Sequence, residues 1–210
     1  MTSQILYHFP KEFLWGTATS AHQTEGNNLN DWSVWEPGKT VDGSVSGIAC
    51  DSYYHFKKDI GLAKKLNNNA YRFSIEWSRI EPQQGQFNTK ALRHYQAVIN
   101  ECLKRKIKPV VTLHHFTHPL WFSAIGGWEN QAAPQIFNNY VIYLAQNITG
   151  VEIWCTINEP MIYAWNAYGR GHWPPQKRNL AAWQKVVNNL IQSHSLAYQS
   201  LHLANKKCLV

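Results

Sequence analysis

AYRFSIEWSRIEPQQGQFNTKALRHYQAVINECLKRKIKPVVTLHH, residues 70–115, contains one complete strand–helix–strand unit. Ala70 to Ile75 reads as a strand. Asn88 predicts the N-cap of a helix running to about Lys106, because its side-chain oxygen can accept an amide proton that the first turn leaves free. Leu92, Tyr95, Val98, Ile99, Cys102 and Leu103 recur at helical spacing and form the inward stripe. Pro109 to His115 is a nearly continuous apolar run, as expected of a strand in a parallel sheet covered on both faces.

The same alternation continues in both directions. Toward the C-terminus, residues 134–148 read as a helix with Phe137, Tyr140, Val141, Leu144 and Ile148 on its stripe. Val151 to Asn158 is a strand. Leu180 to Ala204 is a long helix with Val186, Val187, Leu190, Ile191, Ala197, Tyr198 and Leu201 inward. Cys208 to Val210 reads as the start of a fifth strand. Toward the N-terminus, Ser52 to Asn67 is a helix with Phe56, Ile60, Ala63 and Leu66 inward, and Phe13 to Thr19 a short buried strand. Strands alternating with helices imply right-handed crossovers and a parallel sheet. The expectation is an α/β fold in which residues 1–210 supply about the first four βα units of a (β/α)8 TIM barrel, whose complete form needs ~250 residues. An open doubly wound sheet would show a glycine-rich phosphate turn after a strand. Gly126-Gly127 lies in a loop instead, and Gly169 and Gly171 flank Arg170 without opening a helix.

Composition narrows the function classes. The 210 residues are 44% hydrophobic and 16% charged, which suits one buried core. Lys and Arg outnumber Asp and Glu by 20 to 13. The basic residues are scattered, with Lys57-Lys58, Lys64-Lys65 and Lys104 to Lys108 on solvent faces of helices, so no nucleic-acid partner is expected. No stretch reaches the ~18 apolar residues of a membrane span. Met1 to Trp15 lacks a basic segment followed by an apolar one, so the expectation is a soluble, cytoplasmic protein. Cys50, Cys102, Cys155 and Cys208 form no Cys-x-x-Cys pair and no zinc-like cluster; reduced thiols, no metal and no cofactor are expected. Ten tryptophans and ten tyrosines suit either core packing or the apolar faces of sugar rings.

In a barrel, chemistry gathers at the C-terminal strand ends. In chain order those ends offer Gln23 and Glu25, then Glu76, then His114 and His115, then Asn158 and Glu159. Polar groups able to hold a polyhydroxyl ligand recur at every exit of otherwise apolar strands.

Six ordered segments sharpen this reading: FLWGTATSAHQTEG (13–26), DWSVWE (31–36), CDSYYHFKKDIGLAKKL (50–66), AYRFSIEWSRIEP (70–82), VVTLHHFTHPLWF (110–122) and TINEP (156–160). Together they resemble the N-terminal half of family 1 glycoside hydrolases, β-glucosidase-like retaining enzymes. The resemblance implies hydrolysis of β-glucosides or related β-glycosides, with Glu159 as acid/base. A glycosidic oxygen must receive a proton as its bond breaks. The donor must therefore stay protonated well above the ~4.3 of a free Glu, through burial and a neighbouring carboxylate. It also implies that Asn158 bonds the sugar 2-hydroxyl, and that Gln23 and His115 bond further hydroxyls. Arg72 is implied to support the nucleophile. Glu25 and Glu76 are expected as structural partners of cationic or Trp N–H groups, and Trp32, Trp121 and Trp173 as walls of the cleft. Only one of His114 and His115 can face the barrel axis, and the family pattern favours His115.

Retaining enzymes need two carboxylates about 5 Å apart. The family's nucleophile lies in an Ile/Val-Thr-Glu-Asn-Gly element on the seventh strand, beyond this chain. Two expectations follow: half of a β-glycoside hydrolase, or a catalytically inactive half-barrel that binds carbohydrate or acts as an interaction fragment. Its partners would be a β-glycoside or oligosaccharide, and either the missing C-terminal half of the barrel or a second copy joined through exposed sheet edges.

Overall fold

A computed structural model describes residues 8–210. Four strands form its sheet: β1 (Gly16–Ala18), β2 (Ala70–Ser74), β3 (Lys108–His114) and β4 (Ile153–Ile157). All pair in parallel, in the order β1-β2-β3-β4. The register sets Gly16 beside Ala70, Ala70 beside Lys108, and Val110 beside Ile153. The expected fifth strand is present as one parallel bridge: Trp154 N–H donates to the Leu209 carbonyl, and Leu209 N–H to that of Glu152.

The helices are α1 (Ala21–Thr24), α2 (Asp31–Trp35), α3 (Ser52–Lys65), α4 (Trp77–Ile80), α5 (Thr89–Lys104), α6 (Leu120–Ala124), α7 (Ala133–Asn147), α8 (Pro160–Ala164) and α9 (Leu180–Ala204). The long ones are the crossovers, and the short ones sit in the loops that leave the strands. Asn88 caps α5 as expected, its Oδ1 accepting from Lys90 N–H at 2.9 Å and Ala91 N–H at 3.2 Å. Asn179 caps α9 through Ala182 N–H at 3.0 Å.

Between sheet and helices the core is aromatic. Trp77 is fully buried, stacked on Tyr140 at 5.1 Å and tilted against Phe122 at 4.9 Å. Such pairs add ~0.5–1.5 kcal/mol beyond the area they bury. Gly26 makes the tightest backbone crossing. Its φ is +81°, and a Cβ there would lie 2.1 Å from the Ile48 carbonyl oxygen, so only glycine fits.

Several sequence expectations are corrected. The first strand is three residues long and exposed, not a buried segment from Phe13 to Thr19, because it has a neighbour on one side only and its inner face is open. The helix expected to reach Asn67 ends at Lys65, where Asn67 turns to φ +61°. Leu66, now past that end, is 69% exposed. Leu103, Ile191 and Tyr198 are also exposed rather than inward. Ile191 lines an apolar cavity of about 560 Å3 at the β4 edge, with Trp154, Ile157, Met161, Leu190 and Val210.

Candidate active site

Parallel pairing brings the C-terminal ends of all four strands to one edge. There Arg72 leaves the middle of β2, Asn158 and Glu159 follow β4, and His115 follows β3. Arg72 Nη2 donates to Asn158 Oδ1 at 2.6 Å, and Arg72 Nε to Thr112 Oγ1 at 2.9 Å. Cys155 Sγ lies 3.5 Å from the same Nη2. Asn158 Nδ2 reaches His115 Nε2 at 3.4 Å. The result is a continuous polar row, Arg72–Asn158–His115, that fixes the amide face of Asn158.

Burial and then the nearby Arg72 charge push His115 down to about 4, so its ring is neutral near neutral pH and can both donate and accept. His114 takes the other side, as expected. It is 1% exposed and lies among Trp128, Phe137 and Tyr163 in the helix layer.

Gln23, in α1, is exposed on the same edge of the sheet and accepts from Ser20 Oγ at 2.5 Å. It is not hydrogen-bonded into the row. Glu159 is exposed as well, so the expected burial is not found; Pro160 begins α8 directly after it. Its backbone is left-handed, φ +44°, an uncommon conformation for a residue with a Cβ. Among the described residues Arg72 has no carboxylate partner.

Behind this edge lies a second polar layer. Glu25 accepts from Arg79 Nε at 3.0 Å and from the Tyr95 hydroxyl at 2.9 Å. Arg79 also reaches the Asn28 side chain and the Gly26 carbonyl, and covers the Tyr53 ring at 4.0 Å. Burial raises Glu25 to about 7, with Arg79 opposing, Glu76 adding and Tyr95 opposing. Glu25 thus has the expected cationic partner. Glu76 does not: it accepts hydroxyls of Ser78 and Thr117. The Trp N–H acceptor is Glu81, which takes Trp77 Nε1 at 2.8 Å.

Trp32 and Trp173 pack together at 5.4 Å, with Phe116 5.0 Å from Trp173, as one aromatic group. Trp121 is not part of it; it packs on Trp77 and donates to the Glu81 carbonyl. Sequence reasoning missed the buried pair of His22 and Glu36 at 2.6 Å, and that of Asp31 with His118. Asp31 and Glu36 open and close the DWSVWE segment, which was the available signal.

Residues 6–210 match the family described as "Glycosyl hydrolase family 1". The chain belongs to glycosyl hydrolase family 1. Its sequence is 37% identical over 199 residues to beta-glucosidase A of Thermotoga maritima, covering 90% of this chain and 45% of that protein. Its fold matches a beta-glycosidase from Pyrococcus horikoshii with a TM-score of 0.89 at 42% identity, covering 93% of this chain and 46% of the other. It matches the T. maritima beta-glucosidase in complex with glucoimidazole with a TM-score of 0.92 at 34% identity, covering 95% and 48%. The family 1 chain described here therefore spans less than half the length of these relatives. They are TIM barrels, and its four-stranded parallel sheet with surrounding helices corresponds to about half of one.

Proposed function

We propose that this chain is the acid/base half of a retaining β-glycoside hydrolase. The observation that carries the reading is the Arg72–Asn158–His115 row next to Glu159, at the strand ends where barrel enzymes work. In this reading Asn158 holds the sugar 2-hydroxyl, with its amide face set by Arg72. His115, neutral, and Gln23 take further hydroxyls. Glu159 gives its proton to the glycosidic oxygen, then, ionised, takes one from the water that releases the sugar. In this reading Arg72, which has no carboxylate partner among the described residues, pairs with a nucleophilic carboxylate from the rest of the barrel. That the T. maritima relative is found in complex with glucoimidazole supports a glucoside-like ligand for this family member.

The test uses a full-length barrel containing this chain. Glu159→Gln should abolish hydrolysis of alkyl β-glucosides while sparing the first step on aryl β-glucosides with good leaving groups, and azide should restore turnover on the latter. Equal losses on both, without azide rescue, would remove Glu159 from the acid/base role.

A second reading is favoured by the exposed Glu159 and by an Arg72 without a carboxylate partner among the described residues: the chain alone binds a carbohydrate without turning it over. Glucoimidazole binding by the 210-residue chain, weakened in Asn158→Ala and unaccompanied by aryl glucoside hydrolysis, is its expected signature.

A further inference from the structure

A second group of side chains, apart from the Arg72–Asn158–His115 row, has the relations of an acyl-transfer site. Ser123, in α6, is exposed, and its Oγ lies 2.9 Å from His118 Nε2. His118 is buried, and its Nδ1 faces Asp31 Oδ2 at 3.6 Å. Both of those facing atoms are buried without a hydrogen-bond partner among the described residues. Asp31 is pinned from its other side. Its Oδ1 accepts the His118 backbone N–H at 2.8 Å, and its own N–H donates to the His118 carbonyl at 3.2 Å. A shift of well under an ångström by Oδ2 completes a Ser–His–Asp chain, the kind of tightening expected when a ligand fills such a site. The three residues open on a cavity of about 150 Å3, also lined by Gly127, Tyr168 and Lys177. It shares no lining residue with Gln23, Arg72, His115, Asn158 or Glu159.

We propose that Ser123, His118 and Asp31 form a second catalytic site that hydrolyses esters of short acyl groups. A nucleophile, a base within hydrogen-bond reach and a group that orients the base are the three parts this chemistry requires. Ser123 Oγ bonds to the ester carbonyl carbon as its proton passes to His118 Nε2, and the carbonyl π pair moves to oxygen. That pair returns, the bond to the alkoxy oxygen breaks, and His118 hands the proton to the leaving alcohol. Water then attacks the acyl-Ser123, giving its proton to His118. The Oγ–carbon bond breaks, the acid leaves, and the proton returns to Ser123. The donors lining the cavity are the Tyr168 hydroxyl and the Lys177 ammonium, which is paired with the Glu129 carboxylate and keeps its remaining N–H groups for the developing oxyanion. The cavity has room for an acyl group of a few carbons.

Burial favours the neutral forms of both His118 and Asp31. The reactive form, with Asp31 ionised and the ring proton on Nδ1, gains as pH rises. Glu76, His114, Tyr163 and Tyr168 on neighbouring elements, with Glu129 and Lys177 at the cavity rim, set where that gain falls.

The test needs no glycosidase readout and stands apart from the glycoside reading. The folded 210-residue chain is treated with diisopropyl phosphorofluoridate and mapped by peptide mass spectrometry, while 4-nitrophenyl acetate hydrolysis is followed in parallel. A phosphoryl adduct on Ser123 is expected. Ser123→Ala should keep the near-ultraviolet dichroism and lose the adduct, with ester turnover lower by about 100-fold or more. Asp31→Asn should slow both reactions while leaving the Ser123–His118 contact in place. An unlabelled Ser123, or equal ester rates in the parent and Ser123→Ala, overturns the proposal and leaves the Ser123–His118 bond a purely structural one.

Discussion

Asn158 is 7% exposed and holds two partners, so its removal has a cost apart from any ligand. Asn158→Ala leaves the Arg72 guanidinium with Thr112 and a thiol. A loss of about 1–3 kcal/mol in urea unfolding is expected, the range for stranding a partly buried polar group. Glu25 yields a pH prediction. Its proton is held up to about 7 in the folded chain, against the ordinary 4.5. Between those values the folded state binds more protons than the unfolded one, so the contribution is complete below about 4.5 and lost as pH rises through 7. Glu25→Gln should therefore shrink the fall in urea midpoint between about pH 5 and pH 8; an unchanged fall would mean that Glu25 is not the group responsible. His115 acts in the opposite sense, since its folded value near 4 makes stability drop as pH falls from about 6.5. At this scale the sequence was readable where a residue sits in a strand exit: His115 and Asn158 come together there, and Arg72, singled out by the family resemblance, reaches Asn158 from the middle of β2. It was not readable where a carboxylate's partner comes from another loop. Glu76 was expected to meet a cation or an indole, and meets Thr117, which is 41 positions away.

Among the elements, the helix starts were the most legible part, because a cap is a local device. Asn88 is exposed and makes two bonds to the first turn of α5. Asn88→Ala should cost about 0.5–2 kcal/mol, measured by chemical denaturation, and Asn88→Ser should recover most of it. Helix faces were less legible. Spacing placed Leu66, Leu103, Ile191 and Tyr198 inward, since a periodic pattern marks one apolar stripe without saying what covers it. Ile191 belongs to that stripe and is 59% exposed, because the space in front of it beside β4 is open. The first strand failed for a related reason. Phe13, Leu14 and Trp15 look like a buried strand by composition, yet lie before the paired segment and remain partly exposed. Gly26→Ala should be more damaging than any of these surface changes, because the added methyl meets backbone and not a movable side chain. A lower thermal midpoint with little change in helix content is the expected result.

Among the described residues the sheet has two open edges, an exposed β1 and a β4 covered only at Leu209. Such edges recruit further strands. The 24.2 kDa chain is expected to elute from a sizing column above its monomer mass, and Ile191→Lys with Met161→Lys to move it back toward that mass. Elution of the parent chain as a monomer would show that these surfaces stay apart. Architecture at this level was legible because every crossover is local. That sequential order, β1-β2-β3-β4, has a consequence for how the protein is made. Residue 70 pairs with 16, residue 108 with 70, and residue 153 with 110. Among the described strands, each one from β2 onward finds its earlier neighbour already translated. As the polypeptide leaves the ribosome, each new strand meets a template already in place, and the sheet can widen at the pace of synthesis.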